Sequence, residues 1–299
     1  MRARETAHAA SAAVRADDYF IRRLNDPSAM DPRNSAAQLG IPERNPTHRL
    51  ILVCGPPRSG TTLVTQLIAQ HFDVGFIDHL TARFYRRPAL GAMLRRSVFG
   101  DRHVTDYRSD YGRTSNPLDV HAMGWFWQHH LAHRFDEYLS NTRLRLNEIL
   151  GAWQKPVVML GHYPQLVLSK MPQDVSIVRV HRNTIETAMS LYRKGAPFGV
   201  GAGAGADPNT PFEERCVRQV EYIEGVLESR EFLDHPGLKY HLYYRDLMEC
   251  PANGITELGQ RLGLTPRRAD EVVKFRPSPR PVDEALFERL AAATRREAP

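Results

Sequence analysis

The chain has 299 residues, 40 basic and 34 acidic, with a formal net charge of +6 and 42% hydrophobic side chains. That size suits one large α/β domain or two small ones with a substantial core, and the charge favours anionic ligands. No apolar run approaches the roughly eighteen residues of a membrane span, and the N-terminus lacks the apolar centre of a secretory signal. Cys54, Cys216 and Cys250 are widely spaced, with neither metal-ligand spacing nor a disulfide framework, so a cytoplasmic setting is expected.

Residues 1–47 read as an N-terminal arm and an irregular lead-in, rich in Pro, Asn, Asp and Ser from Asp26 to Pro46. A single domain is expected over 48–299. Leu50 to Cys54 is an apolar run of strand length, broken by Gly55-Pro56-Pro57. Thr61 then opens a segment with Leu63, Val64, Leu67 and Ile68 at helical spacing. A strand, a tight turn and a helix N-terminus make an anion site, because first-turn amides have no helical partners. Gly55 and Gly60 have the spacing of a Walker A loop, but Thr61 stands where that loop needs lysine, and Thr62 follows. The basic side chain is Arg58, inside the loop.

Asp73 to Asp78 is a plausible second strand, ending at Asp78-His79. Strand C-terminal ends line the crevice of open α/β sheets. Residues 80 to 121 show weak periodicity, and a long irregular segment of this kind is usually functional or mobile. Trp125, Phe126 and Trp127 are too close together to share one helix face, so at least one should point away from the core. Phe135 to Trp153 keeps helical spacing. Pro156 to Leu160 is a third apolar run, followed by Gly161-His162-Tyr163-Pro164.

Val175 to Val180 is a fourth strand. Ile185, Ala188, Met189 and Tyr192 make one helix face, which Asn183 can cap. Gly199 to Pro208 alternates four glycines with small residues and reads as a lid or a flexible linker. A helix from Glu213 to Arg230 and a half-buried strand from Leu238 to Tyr244 follow. Basic pairs such as Arg86-Arg87, Arg95-Arg96 and Arg267-Arg268 are scattered, which suits solvated faces better than a nucleic-acid surface.

The loop Pro57-Arg58-Ser59-Gly60-Thr61-Thr62 resembles the 5′-phosphosulfate loop of sulfotransferases that use 3′-phosphoadenosine 5′-phosphosulfate (PAPS). Arg182 and Ser190, eight residues apart across a strand-helix turn, resemble that family's 3′-phosphate pair. His162 and Pro164 resemble its histidine-containing base element, with Leu160 where the family has lysine. His79 falls where another branch carries a catalytic glutamate. Tyr244-Arg245-Asp246-Leu247 resembles a family element read here as structural, and the basic stretch Lys274 to Arg280 stands near a further 3′-phosphate segment.

The resemblance implies a P-loop-like sulfotransferase architecture, a mostly parallel central sheet flanked by helices. It implies transfer of a sulfuryl group from PAPS to a small-molecule, glycan or lipid-like acceptor, with adenosine 3′,5′-bisphosphate as product and no metal. Pro57 to Thr62, Arg182 and Ser190 would bind the co-substrate. Arg58 would act on the leaving oxygen, and His162 or His79 would be the base. A small-molecule kinase using ATP is the alternative, but it would want a lysine at Thr61 and a Mg²⁺-binding acid.

Overall fold

The computed structural model describes residues 40–109, 114, 116–122, 126–127, 135–161, 174–195, 210–267 and 283–295. Five parallel strands form one sheet: β1 (Leu50–Cys54), β2 (Gly75–Phe76), β3 (Val157–Gly161), β4 (Ser176–His181) and β5 (Leu238–Tyr243), in the order β2-β3-β1-β4-β5. β1 lies at the centre, with Cys54 opposite Gly161 of β3 and Arg179 of β4. β1 and β3 are buried along their whole length, as continuous apolar runs covered on both faces should be.

The helices are α1 (Thr61–His71), α2 (His79–Arg83), α3 (Pro88–Phe99), α4 (Phe135–Trp153), α5 (Thr184–Tyr192), α6 (Phe212–Leu227), α7 (Arg230–Leu233), α8 (Tyr244–Glu249), α9 (Pro251–Arg261) and α10 (Glu284–Arg295). The main core joins the strands to Val64, Leu67 and Ile68 of α1 and to Leu146, Ile149 and Trp153 of α4. A second cluster packs Ala188, Met189 and Leu191 of α5 against Val217 and Val220 of α6 and Leu286 and Leu290 of α10. Among the described residues, no helix is long and apolar enough to cross a membrane.

Topology decides where a ligand can sit. The chain leaves β1 towards β2 at one edge of the sheet, whereas it leaves β4 towards β5 at the other. The loops after these two neighbouring strands therefore diverge, and that divergence opens a crevice at their C-terminal ends. Arg58 belongs to the first loop and Arg182 to the second.

Several expectations change. The second strand is only Gly75–Phe76, because Asp78 leaves the ladder to cap α2, accepting from the Thr81 amide at 2.8 Å. Residues 79–99 hold two helices rather than irregular chain. The helix expected to run to Arg230 stops at Leu227, and α7 restarts after Ser229, whose hydroxyl accepts from the Phe232 amide. Phe126 and Trp127 are both fully buried, edge to face at 4.8 Å; Trp125 lies outside the described residues.

Arg95 is no solvated cation. It is fully buried, 3.3 Å from Asp78, and it donates to the carbonyls of Gly100 and Arg102. Its guanidinium lies over the rings of Phe76 and Trp153. A buried arginine persists only where its donors are used, and here a carboxylate and two carbonyls use them.

Candidate functional site

The loop between β1 and α1 is held in a shape that few residues permit. Arg58 has φ 72° and Gly60 has φ 104°, both in the left-handed region. A Cβ on Gly60 would come within 2.6 Å of two Tyr244 ring atoms, so glycine is required twice over. At Gly55 a Cβ would meet Ser59 Oγ at 2.6 Å and the Val180 carbonyl oxygen at 2.9 Å. The Ser59 amide donates to the Pro56 carbonyl at 3.1 Å, and the Val64 amide to the Gly60 carbonyl at 3.0 Å. The residue at the N-cap of α1 is Gly60, which has no side chain to cap it. The first amides of α1 face the loop, and the buried Ser59 hydroxyl has no partner among the described residues. Orphan donors at a helix N-terminus inside a glycine-shaped turn make a cradle for an anion.

Three of the residues expected to bind one ligand converge on this loop. Arg58 Nε donates to Ser190 Oγ at 3.1 Å, although 132 residues separate them. Arg182 donates from a terminal nitrogen to the Arg58 carbonyl at 3.0 Å. The Arg182 guanidinium also lies 4.6 Å from the centre of the Tyr244 ring, and its Nε is 3.4 Å from a Glu186 carboxylate oxygen. Asn183 caps α5 as expected, accepting from the Glu186 amide at 3.1 Å. That cap fixes the turn between Arg182 and Ser190, so both present their side chains towards the loop after β1.

Tyr244 was legible only as a structural residue. In the fold its ring lies against Gly60 and beneath the Arg182 guanidinium. A tyrosine directly after an edge strand, opening a helix, is the faint signal that sequence offered.

His181, the last residue of β4, stacks on His241 and Tyr243 of β5, and its Nε2 lies 2.7 Å from His241 Nδ1. Burial, then the Arg179 guanidinium and His241, push the His181 imidazole down to about 4. It is therefore neutral near pH 7.

His79 is the first residue of α2, next to the Asp78 cap. Its Nε2 is 2.9 Å from Thr114 Oγ1, and its ring meets that of His121 edge to face at 4.6 Å. Burial lowers its affinity for a proton, opposed by Asp78, Asp119 and a hydrogen bond to the Thr114 backbone and assisted by Arg83. In the sheet order its strand, β2, is separated from β1 by β3. His162, Pro164, the Gly199–Pro208 segment and the Lys274–Arg280 stretch lie outside the described residues. Cys54 is core packing: it is fully buried, and burial raises its thiol to about 12.

The segment before β3 has an organiser that sequence did not reveal. Asp119 is fully buried and accepts from Gln66 of α1 at 2.8 Å, His103 at 2.8 Å, Thr105 at 2.7 Å and the Val120 amide at 2.7 Å. Among the described residues, no group of three or more His, Cys, Asp or Glu side chains is arranged to hold a metal ion.

A sulfotransferase family model matches residues 51–268. Among solved structures, a sulfotransferase from Mycobacterium tuberculosis H37Rv superposes with a TM-score of 0.45 at 14% identity, over 77% of this chain and 70% of that one. A sulfotransferase from Alicyclobacillus acidocaldarius gives 0.41 at 18% identity, over 82% and 91%. The sulfotransferase domain of the Synechococcus PCC 7002 olefin synthase gives 0.38 at 14%, over 83% and 89%. No curated protein sequence matches the chain.

Proposed function

Because the chain belongs to the sulfotransferase family, we propose that it moves a sulfuryl group from PAPS to a hydroxyl or amine of a small-molecule, glycan or lipid-like acceptor. The observation that carries this reading is the convergence of Arg58, Arg182 and Ser190, which lie far apart in sequence, on one glycine-shaped loop. A donor with phosphate at both its 5′ and 3′ positions needs two anion subsites a nucleoside apart. The loop amides with Ser59, Thr61 and Thr62 make one, and Arg182 with Ser190 makes the other. Pro57 breaks the strand and starts the turn.

In the reaction the acceptor oxygen or nitrogen forms a bond to sulfur, and the bond from sulfur to the 5′-phosphate oxygen breaks. That oxygen keeps the electron pair, and adenosine 3′,5′-bisphosphate leaves. Arg58 is the cation of the loop, and it stabilises the charge that grows on the leaving oxygen. Preorganised donors of this kind are commonly the largest catalytic contribution. The acceptor's proton goes to a histidine, His79 or His162. Cytoplasmic action fits the cysteine usage.

Calorimetry with adenosine 3′,5′-bisphosphate and with ATP, each with and without Mg²⁺, tests the reading. We expect the bisphosphate to bind far more tightly, without need of metal. Equal or Mg²⁺-dependent ATP binding would instead support a kinase, against the threonine at position 61.

A further inference from the structure

We propose that Thr114 is a positioning residue that fixes His79 in the tautomer protonated at Nε2, leaving Nδ1 as the atom that takes the acceptor's proton. The inference rests on the sulfuryl-transfer reading for its chemistry, but the geometry stands by itself. Thr114 Oγ1 lies 3.1 Å from the Val120 carbonyl oxygen and 2.9 Å from His79 Nε2. A carbonyl has no proton to give, so towards Val120 the Thr114 hydroxyl can only donate, and we place its single proton there. Thr114 can then only accept from His79, and Nε2 must carry a hydrogen. In the neutral ring the lone pair is left on Nδ1.

The surroundings hold this arrangement in place. Thr114 is buried, and the Val120 carbonyl it uses belongs to a residue whose own amide is held by Asp119. Val120 also forms an isolated antiparallel bridge with Asp78, the residue just before His79. The hydroxyl and the imidazole are thus attached to the same short bridge, from opposite sides. His121 packs its ring against His79 and donates its backbone amide to the Ile77 carbonyl at 2.7 Å. The ring can neither flip nor swing without breaking one of these contacts.

The charged groups around the ring are Asp78, Asp119 and Arg83, with His121 as its titratable neighbour. Burial outweighs the two carboxylates, so the ring is neutral and able to accept near pH 7. When the acceptor attacks sulfur, its proton passes to Nδ1, and Thr114 then accepts a stronger hydrogen bond from the cationic ring. The bond from sulfur to the leaving phosphate oxygen breaks in the same exchange, and that oxygen takes the electron pair. Thr114 stabilises the imidazolium in addition to choosing the tautomer.

Nitrogen NMR of the histidine rings in the full, ligand-free chain tests the tautomer directly. Wild type and Thr114→Ser should show a single Nε2-protonated His79, whereas Thr114→Val, of equal size but with no hydroxyl, should show mixed tautomers. Release of bisphosphate from PAPS, with water as acceptor, tests the chemistry without a known substrate. Thr114→Val should lose about threefold to tenfold in kcat, the worth of one hydrogen bond, with KM for PAPS unchanged. Its rate should also stay high to lower pH than in wild type, because the cation has lost a partner. Thr114→Ser should restore both.

An unchanged His79 tautomer in Thr114→Val overturns the proposal, and so does a mixed tautomer with unaltered kcat and pH profile. A wild type that binds no bisphosphate and releases none from PAPS would defeat the sulfuryl-transfer reading and the proton-transfer role with it. The tautomer measurement would still decide the Thr114 contact by itself.

Discussion

Arg58 Nε donates to Ser190 Oγ at 3.1 Å, so the cation of the loop after β1 is tied to the helix that follows β4. Arg182 completes the tie through the Arg58 carbonyl. The two proposed anion subsites would therefore share their parts, and a change in one should be felt in the other.

Arg182→Ala is expected to weaken adenosine 3′,5′-bisphosphate by about tenfold to a hundredfold, since a hydrogen bond to a charged group is worth about 1.5–3 kcal/mol. Adenosine 5′-monophosphate should lose less, about threefold to tenfold, because only the bond to the Arg58 carbonyl is missing there. Calorimetry with both nucleotides measures the difference. Equal losses would mean that Arg182 does not read the 3′-phosphate.

Gly60→Ala combines a backbone at φ 104° with a Cβ 2.6 Å from the Tyr244 ring. Backbone strain of this kind costs about 1–3 kcal/mol. Thermal unfolding should show the loss, and nucleotide binding should fall with it. The double variant Gly60→Ala, Tyr244→Ala removes the clash but leaves the strain, so it should recover only part of the stability. Full recovery would mean that contact alone dictates glycine.

The proton acceptor can be found by comparing His79→Ala with His162→Ala once an acceptor is known. A general base contributes about 10²–10⁴-fold. We expect His79→Ala to lose turnover on that scale with bisphosphate affinity almost unmoved, and His162→Ala to lose less. Near-normal turnover in His79→Ala, with collapse in His162→Ala, would move the role to the residue directly after β3.

His181 sets a pH dependence of folding. Its folded imidazole lies at about 4, against an ordinary 6.5 that the unfolded chain regains. Between those values the unfolded state binds more protons, so stability falls as pH drops from 6.5 towards 4. His181→Gln should flatten this part of a urea stability profile taken between pH 7 and 4. His241 has its own proton affinity lowered, chiefly by burial, so the flattening should be incomplete. A profile identical to wild type would show that the stack carries no such linkage.

The fold was legible where burial is simple. β1, β3 and β4 are short apolar runs covered on both faces, and α1 and α5 keep one apolar stripe each. β2 was overextended, because Asp73 to Asp78 has strand composition while Asp78 serves as a helix cap instead. Arg95 read as surface because its partners, Asp78 and the carbonyls of Gly100 and Arg102, meet only in three dimensions. At the candidate site, the family resemblance singled out Arg58, Arg182 and Ser190, and the fold brings these three together. Tyr244 and Thr114 were not legible as site residues, since one meets its neighbours through its ring and the other through a hydroxyl in reach of both His79 and the Val120 carbonyl.

Asp119 gives the region around His79 an uneven tolerance to substitution. One carboxylate gathers Gln66, His103, Thr105 and the Val120 amide, and through Val120 it supports the hydroxyl that meets His79. Exposed neighbours such as Asp106 and Arg108 can be exchanged with small effect. Asp119→Ala would strand several buried donors at once, each costing about 1–3 kcal/mol. A library covering residues 103–121 should therefore accept changes at most exposed positions while position 119 admits almost none, so that variation in this stretch is confined by a residue that need never touch substrate.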